Sequence, residues 1–133
     1  MTSERLSLST SMRVQMIPIT SQVAAVVNKS GVKEGLCVIF VPHTTAGVTI
    51  NENADPDVVR DMVHEINKVI PFDDQYHHDE GNSAAHIKSS LFSPSLSVII
   101  QDGRLLLGTW QTVYFCEFDG PRSRTFYVKI AAG

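Results

Sequence analysis

Five histidines in this 133-residue sequence offer imidazoles from several separate regions. His43 follows the apolar run GLCVIFVP, at the point where a predicted strand ends. His77 and His78 lie in the polar loop YHHDEGN, and His86 lies in a short predicted helix. Neutral imidazoles from three places can form an open tetrahedral zinc site whose fourth position takes water or substrate. Ordinary polar histidines are the alternative, because the chain has no HExxH or HxH spacing.

The fifth histidine, His64, belongs to a strong predicted helix. At about 100° per residue it points away from that helix's apolar side. The apolar side consists of Val59, Met62, Val63 and Ile66. We therefore predict that His64 is a surface residue without a role in binding.

A second cluster of polar residues lies in the stretch PHTTAGVTINENADPD. Asp55 has a structural explanation, because Asp followed by proline is typical of a helix start. Asn51, Glu52 and Asn53 lie between a predicted strand and this helix N-terminus, a position that suits anions. Asn51 and Asn53 are candidate substrate-binding amides and Glu52 is a candidate proton acceptor, with a polar turn as the alternative.

Charged residues near the C-terminus extend the candidate site. Arg122 and Arg124 are two residues apart in an extended segment, where they would share a face and could clamp a phosphate or carboxylate. Exposed charges on an edge strand are an equal alternative. Glu117 shares a strand face with Val113 and Phe115, so its carboxylate needs either a partner or a site.

The short helix predicted in NSAAHIKSSLF has a mixed surface. Its apolar face consists of Ala84, Ile87 and Leu91. His86 lies on the opposite face, and Lys88 and Ser89 could add a cation and a hydroxyl to the same pocket. In the sequence GTWQ, Trp110 could be a core residue and Gln111 is a candidate orienting amide. Nucleophile templates are missing, because there is no GxSxG and no phosphate-binding loop.

Hydrophobic periodicity predicts an α+β domain with a mainly antiparallel sheet, about seven strands and two or three helices. Thr20 can cap the first helix and Gly31 can end it. The continuous apolar run GLCVIFVP predicts a central strand covered on both faces. Asp102-Gly103 predicts a hairpin, and several hairpins are expected late in the chain.

Length and composition predict a single domain over residues 1–133, with 43% hydrophobic and 19% charged residues. The net charge of -3 argues against binding to nucleic acid or anionic membranes. No apolar run approaches the roughly 20 residues of a membrane span, and the N-terminus lacks a signal-peptide core. We therefore expect a cytoplasmic protein in which Cys37 and Cys116 are buried, reduced thiols.

Three stretches together resemble the YjbQ-like family of small cytoplasmic proteins: HTTAGVTINENADPDVVRDM, YHHDEGNSAAHIKSSL and DGRLLLGTWQTVYFCEFDGPRSR. The resemblance covers nearly the whole chain and implies an α+β homotrimer with sites near the subunit interfaces. Its histidine pattern falls on His43, His78 and His86, which implies that these three bind a divalent metal ion, zinc. His77 stands at a position that need not be histidine in the family.

The resemblance also implies a reaction, because the family is similar to secondary thiamine-phosphate synthases of weak activity. A metal-binding enzyme acting on a phosphorylated small molecule is therefore expected, joining a pyrimidine pyrophosphate to a thiazole phosphate. The cations available for the departing pyrophosphate are Arg122, Arg124 and Lys88. The groups that could orient the rings or accept a proton are Asn51, Gln111, Glu52 and Glu117. A non-catalytic trimeric metal- or anion-binding protein and a metal-dependent hydrolase are the alternatives.

Overall fold

The computed structural model describes residues 3–133, within which the chain forms eight strands and three helices. In chain order they are β1 (Ser3–Ser9), β2 (Gln15–Pro18), α1 (Thr20–Ser30), β3 (Gly35–Phe40), β4 (Ala46–Glu52), α2 (Pro56–Val69), α3 (Ser83–Phe92), β5 (Ser95–Gln101), β6 (Arg104–Leu105), β7 (Gln111–Glu117) and β8 (Ser123–Ala132). The predicted α+β class is confirmed. The domain predicted over 1–133 includes Met1 and Thr2, which lie outside the described residues.

The strands form two antiparallel sheets. One has five strands in the order β1-β8-β3-β5-β6, and the other has three in the order β2-β7-β4. The predicted hairpin at Asp102-Gly103 joins β5 to β6, with φ of 53° and 76° at its two central residues. The consecutive strands β7 and β8 lie in different sheets, so the expectation of several late hairpins is wrong there. Gly120 makes this crossing possible, because a Cβ atom would lie 2.3 Å from the Met12 carbonyl oxygen.

The two sheets and helix α1 enclose the larger part of the core. Strand β7 is buried on both faces, since α2 and α3 supply residues that pack over its second face around Tyr114 and Cys116. Strand β3 was predicted to be covered on both faces, and this is wrong. Leu36, Val38 and Phe40 of β3 are exposed, because no element of the described chain covers that side of the five-stranded sheet.

Helix α3 buries a different face from the one predicted. Its buried residues are Ala84, Ala85, Lys88 and Ser89, whereas Ile87 and Leu91 are exposed. The helix approaches β4 so closely at Gly47 that a Cβ there would lie 3.5 Å from the Ser89 carbonyl oxygen and 2.9 Å from that of Ser93. A contact this close favours small side chains on the packed face, which outweighs apolar periodicity.

The ends of helix α1 agree only in part with the sequence. Gly31 ends the helix in the left-handed conformation with φ of 71°, as predicted. The predicted Thr20 cap is wrong, because the helix begins at Thr20 and its hydroxyl accepts a hydrogen bond of 2.8 Å from the Val113 N–H.

Cys37 and Cys116 are free and buried, as expected. No helix between residues 3 and 133 has the length and apolarity needed to cross a membrane.

Helix α2 begins at the predicted Asp55-Pro56 signal. The Asp55 carboxylate accepts a hydrogen bond of 2.9 Å from the Asp57 N–H and so satisfies a free helix donor. We expect Asp55→Ala to lower the free energy of unfolding by about 1 kcal/mol, measured by chemical denaturation. Asp61→Ala, at an exposed position of the same helix, serves as the control. Equal losses from both variants would contradict a capping role for Asp55.

Candidate functional site

A pair of histidines lies at the edge of an open cleft. His78 belongs to the loop between α2 and α3, and His86 belongs to α3. Their ring centres are 5.6 Å apart and the rings are almost perpendicular, at 88°. The cleft has a volume of about 480 Å³, and its other lining residues are Gln75, Tyr76, His77, Ser83 and Ile87. The structure thus brings together two of the three histidines expected to bind a metal.

The distance between the two ring centres is close to that expected for two ligands of one metal ion. Imidazoles that share a tetrahedral zinc ion at about 2.0–2.1 Å hold their ring centres roughly 5 Å apart. A carboxylate oxygen of Glu80 lies 3.6 Å from His78 Nε2, where it can orient the ring. The pair is nevertheless incomplete in one chain. Among residues 3–133, no three histidine, cysteine or acidic residues form a group that could hold a metal ion.

The third predicted ligand, His43, lies at the end of β3 beside β8. Its Nε2 is 3.1 Å from both the Thr125 N–H nitrogen and the Thr125 carbonyl oxygen. Burial and the nearby Arg124 guanidinium lower the pKa of His43, so the ring is held neutral. If Nε2–H donates to the Thr125 carbonyl, Nδ1 is free to bind a metal, as in many metal-ligating histidines. A deprotonated imidazole nitrogen is what a metal ligand requires.

Glu117 and Arg124 form an ion pair in the interior. The two side chains are almost completely buried. Arg124 donates two hydrogen bonds to the Glu117 carboxylate, one from Nε and one from Nη2. Glu117 also accepts hydrogen bonds from the Thr10 hydroxyl at 2.8 Å and the Asp119 N–H at 3.0 Å. Arg124 Nη2 also donates to the Thr45 hydroxyl at 2.8 Å. This network joins the two sheets across the β7–β8 crossing.

These contacts give Glu117 and Arg124 an internal structural role. Burial raises the pKa of Glu117, but hydrogen bonds from Arg124, the Asp119 N–H and Thr10 outweigh that effect and lower the pKa below its usual value. A saturated carboxylate of low pKa is a poor proton acceptor, in contrast to the catalytic role predicted for Glu117. The alternative of an exposed edge-strand charge is wrong for Arg124, because β8 lies between β1 and β3.

Lys88 and Ser89 point to the opposite side of α3 from the cleft. Ser89 donates a hydrogen bond of 2.6 Å to the Ala46 carbonyl oxygen, which fixes α3 on β4. The fully buried Lys88 ammonium donates to the Asn67 side-chain oxygen. Burial, with a smaller effect from Arg13, lowers the pKa of Lys88 to about 8. The structure therefore does not bring Lys88 and Ser89 into the His86 pocket, as the sequence had suggested.

Arg122 is the exposed member of the predicted arginine pair. It contacts Asp119 through Nε to the carbonyl oxygen at 2.9 Å and through Nη2 to the carboxylate at 3.1 Å. Asn82 Nδ2 donates to the same carboxylate at 2.9 Å, so this corner is tied to the start of α3. The Asn82 side-chain oxygen is buried without a hydrogen-bond partner within the described chain. The sequence did not predict Asn82 and Asp119 as residues of the site, because the stretches EGN and DGP indicate only turns.

The remaining candidates gather where β4 pairs with the start of β7. Glu52 lies opposite Gln111, whose side-chain oxygen accepts from the Gly108 N–H at 2.7 Å. The Asn51 side-chain oxygen accepts from the N–H of Glu52 at 2.7 Å. The buried Tyr114 hydroxyl contacts the Asn53 side-chain oxygen at 3.0 Å. No hydrogen bond or ion pair between residues 3 and 133 links this cluster to the histidine pair.

Trp110, next to this cluster, is 63% exposed, so the prediction that it could be a core residue is wrong. His64 is exposed on α2, as predicted from the helix geometry.

The sequence profile described as "UPF0047 protein YjbQ-like" matches residues 4–133. The chain belongs to the YjbQ-like family. This YjbQ-like chain is 52% identical to the UPF0047 protein YugU of Bacillus subtilis over 126 residues, which cover 94% of this chain and 96% of YugU. It is also 52% identical to a UPF0047 protein of Methanocaldococcus jannaschii over 126 residues, covering 95% of this chain and 91% of that one.

Two solved structures share the whole fold of this chain. A Clostridium acetobutylicum protein of the YjbQ/UPF0047 family is 55% identical, with a TM-score of 0.95 over 96% of this chain and 99% of the other. A hypothetical protein from Aeropyrum pernix is 33% identical and also gives a TM-score of 0.95, with complete coverage of both chains. These comparisons establish the family and the fold.

Proposed function

We propose that this YjbQ-like protein is a metal-dependent enzyme that binds a small phosphorylated molecule at the His78–His86 cleft. The observation that carries the proposal is the perpendicular pair of imidazoles, 5.6 Å apart, at an open cleft. Two imidazoles are suited to zinc, and the open side leaves coordination positions for water or substrate. Bound zinc would supply Lewis acidity toward a phosphoryl oxygen.

We propose that the third ligand, His43, reaches the site from a neighbouring copy in a homotrimer. His43 comes three residues after Phe40, the last residue of β3, and the exposed face of this strand carries Leu36, Val38 and Phe40. An apolar sheet face of this kind is typical of a surface that another chain covers. A neighbour bound to this face would lie close to His43, and the neutral ring is ready to act as a ligand.

The reaction that we propose is a weak thiamine-phosphate synthase activity. Arg124 is neutralised by Glu117, and Lys88 lies on the far side of α3. Arg122, which is half exposed although it also pairs with Asp119, is the cation left to stabilise a departing pyrophosphate, and bound zinc would add Lewis acidity. A non-catalytic metal- or anion-binding protein needs the same cleft without the transfer step, so activity is what separates the two functions.

Metal content tests the site directly. We expect tag-free protein to bind about one zinc ion per chain, and His78→Ala, His86→Ala and His43→Ala each to lose most of it, because an open site has three protein ligands. His64→Ala is the matched control, since His64 is an exposed helix residue. Elemental analysis after dialysis measures the content. Undiminished metal in the His78→Ala and His86→Ala variants would exclude the cleft as the metal site.

Product formation tests the reaction. We expect purified protein to form thiamine phosphate slowly, and His86→Ala to abolish the rate because the metal is lost. Arg122→Ala should lower the rate roughly tenfold or more, by removing a cation from the developing charge. Arg60→Ala, an exposed arginine on α2, is the control. With all variants folded and of unchanged assembly, no product from the wild type would favour the binding-protein function instead.

A further inference from the structure

Phe72, in the loop that leads from α2 to His78, contacts two cations. The Arg13 guanidinium carbon lies 3.6 Å from the centre of the Phe72 ring, and the Lys88 ammonium nitrogen lies 3.7 Å from it. Two groups this close to the ring centre cannot share one face without overlapping, so they lie on opposite faces. The ring therefore separates two positive charges that are at most about 7 Å apart, the sum of the two distances.

Within the described part of the chain, neither cation has an acidic partner. None of the ion pairs between residues 3 and 133 involves Arg13 or Lys88. Within the same residues, Lys88 has one hydrogen-bond acceptor, Asn67, and Arg13 has a long contact of 3.4 Å to the Gly81 carbonyl oxygen. A fully buried lysine is normally paired with a carboxylate, because burial of an uncompensated charge is unfavourable. This pair of cations is therefore short of negative charge.

The Phe72 ring lies between two cations, a position where an anion could bind in its place. A phosphate dianion that accepts one charge-assisted hydrogen bond of about 2.8 Å from each side spans a gap of this order. Such hydrogen bonds are stronger than the contact of a cation with a phenyl ring at a partly exposed site. Phe72 is only half-buried and belongs to a segment without regular structure, so its side chain can be displaced.

We propose that the space between Arg13 and Lys88 is a phosphate-binding site, and that Phe72 occupies it until a phosphate group displaces the ring. The site differs from the His78–His86 cleft, because His86 and Lys88 are about 200° apart around α3. It does not depend on the metal or on the reaction proposed above. The ligand class is a phosphate dianion, either free or carried as a monoester.

Phosphate titrations at pH 7 and constant ionic strength test this site, using chelator-treated protein so that no metal contributes. We expect Phe72→Ala to bind inorganic phosphate about tenfold more tightly than the wild type, because the competing ring is gone. Adding Arg13→Gln to Phe72→Ala should remove this gain. Arg13 is exposed, so this substitution leaves the fold intact. Phe92→Ala, in the same apolar cluster, should not increase the affinity.

The outcomes separate the two sources of phosphate. Equal gains for inorganic phosphate and ethyl phosphate would identify a site for phosphorylated molecules, whereas a gain for inorganic phosphate alone would identify a site for the free ion. The inference is overturned if Phe72→Ala binds phosphate no more tightly than the wild type. It is also overturned if Arg13→Gln leaves the affinity of Phe72→Ala unchanged. Lys88→Gln in the same background provides a second measurement if it remains folded.

Discussion

Replacing Arg124 with methionine is expected to lower the free energy of unfolding by about 3–5 kcal/mol at neutral pH. The reason is the interior position of the pair, since Glu117 would keep a buried negative charge without its cation. Glu117→Gln should cost a similar amount, because it leaves the Arg124 guanidinium unpaired. The double substitution should cost clearly less than the sum of the two single ones, since it leaves neither charge uncompensated.

The cost of Glu117→Gln should depend on pH. The folded-state pKa of Glu117 lies below its ordinary value of 4.5, so the unfolded chain binds the proton more readily. The stabilisation from Glu117 is therefore complete above about pH 4.5 and is lost as the pH falls through the folded-state pKa. Urea denaturation across this range should show the difference between wild type and Glu117→Gln shrinking toward low pH.

An exposed ion pair in the same chain provides the matched control. Arg60 and Asp57 on α2 lie 3.0 Å apart but remain largely in water. Arg60→Met should change the free energy of unfolding by less than about 1 kcal/mol, because solvent screens exposed pairs. If Arg124→Met costs no more than Arg60→Met, or if the two interior substitutions are additive, the Glu117–Arg124 pair does not hold the two sheets together as described.

The limits of prediction from this sequence follow from what determines each feature. Helix α2 was predicted correctly because its signals are local: Asp55 caps it, Pro56 begins it and the apolar positions repeat at helical spacing. Helix α3 was predicted in place but with the wrong buried face, because Gly47 on another element permits a close approach there. A contact between distant segments leaves no periodic signal in the helix itself.

The candidate site also contains one feature set by residues close in sequence and one set by contacts between distant segments. The perpendicular histidine pair joins two residues only eight positions apart, and both were among the predicted ligands. The pairing of Glu117 with Arg124 depends on β7 and β8 lying in different sheets, which the turn sequence DGP does not reveal. The two residues were therefore predicted to contact substrate, although the fold turns them toward each other.

A second large effect is expected on the assembly of the protein when the exposed face of β3 is changed. Leu36, Val38, Phe40 and Ile99 form an apolar surface on the five-stranded sheet, and a proposed homotrimer would bury it. We expect Val38→Asp to convert the trimer into monomers, because burial in the interface removes the hydration of the carboxylate, and the neighbouring Lys129 replaces only part of it. Light scattering coupled to gel filtration measures the assembly state of both proteins.

The substitution should leave the fold of each chain intact. In β3 the neighbours of Val38 across the sheet are Ser97 and Lys129, so a carboxylate there faces a cation on the adjacent strand. Val69→Asp is the matched control, because Val69 is an exposed apolar residue on α2. It should leave the trimer unchanged. A wild type that is monomeric at micromolar concentration, or a trimeric Val38→Asp, would contradict assembly through this face.

Metal content of the Val38→Asp monomer then determines where the third ligand comes from. All three histidines are unchanged in this variant, and Val38 is not among the residues that line the cleft. If His43 of a neighbouring copy completes the site, the monomer should lose most of its zinc although its own His43, His78 and His86 are intact. Full zinc content in the monomer would instead place every ligand within one chain, with Glu80 beside His78 as the next residue to substitute.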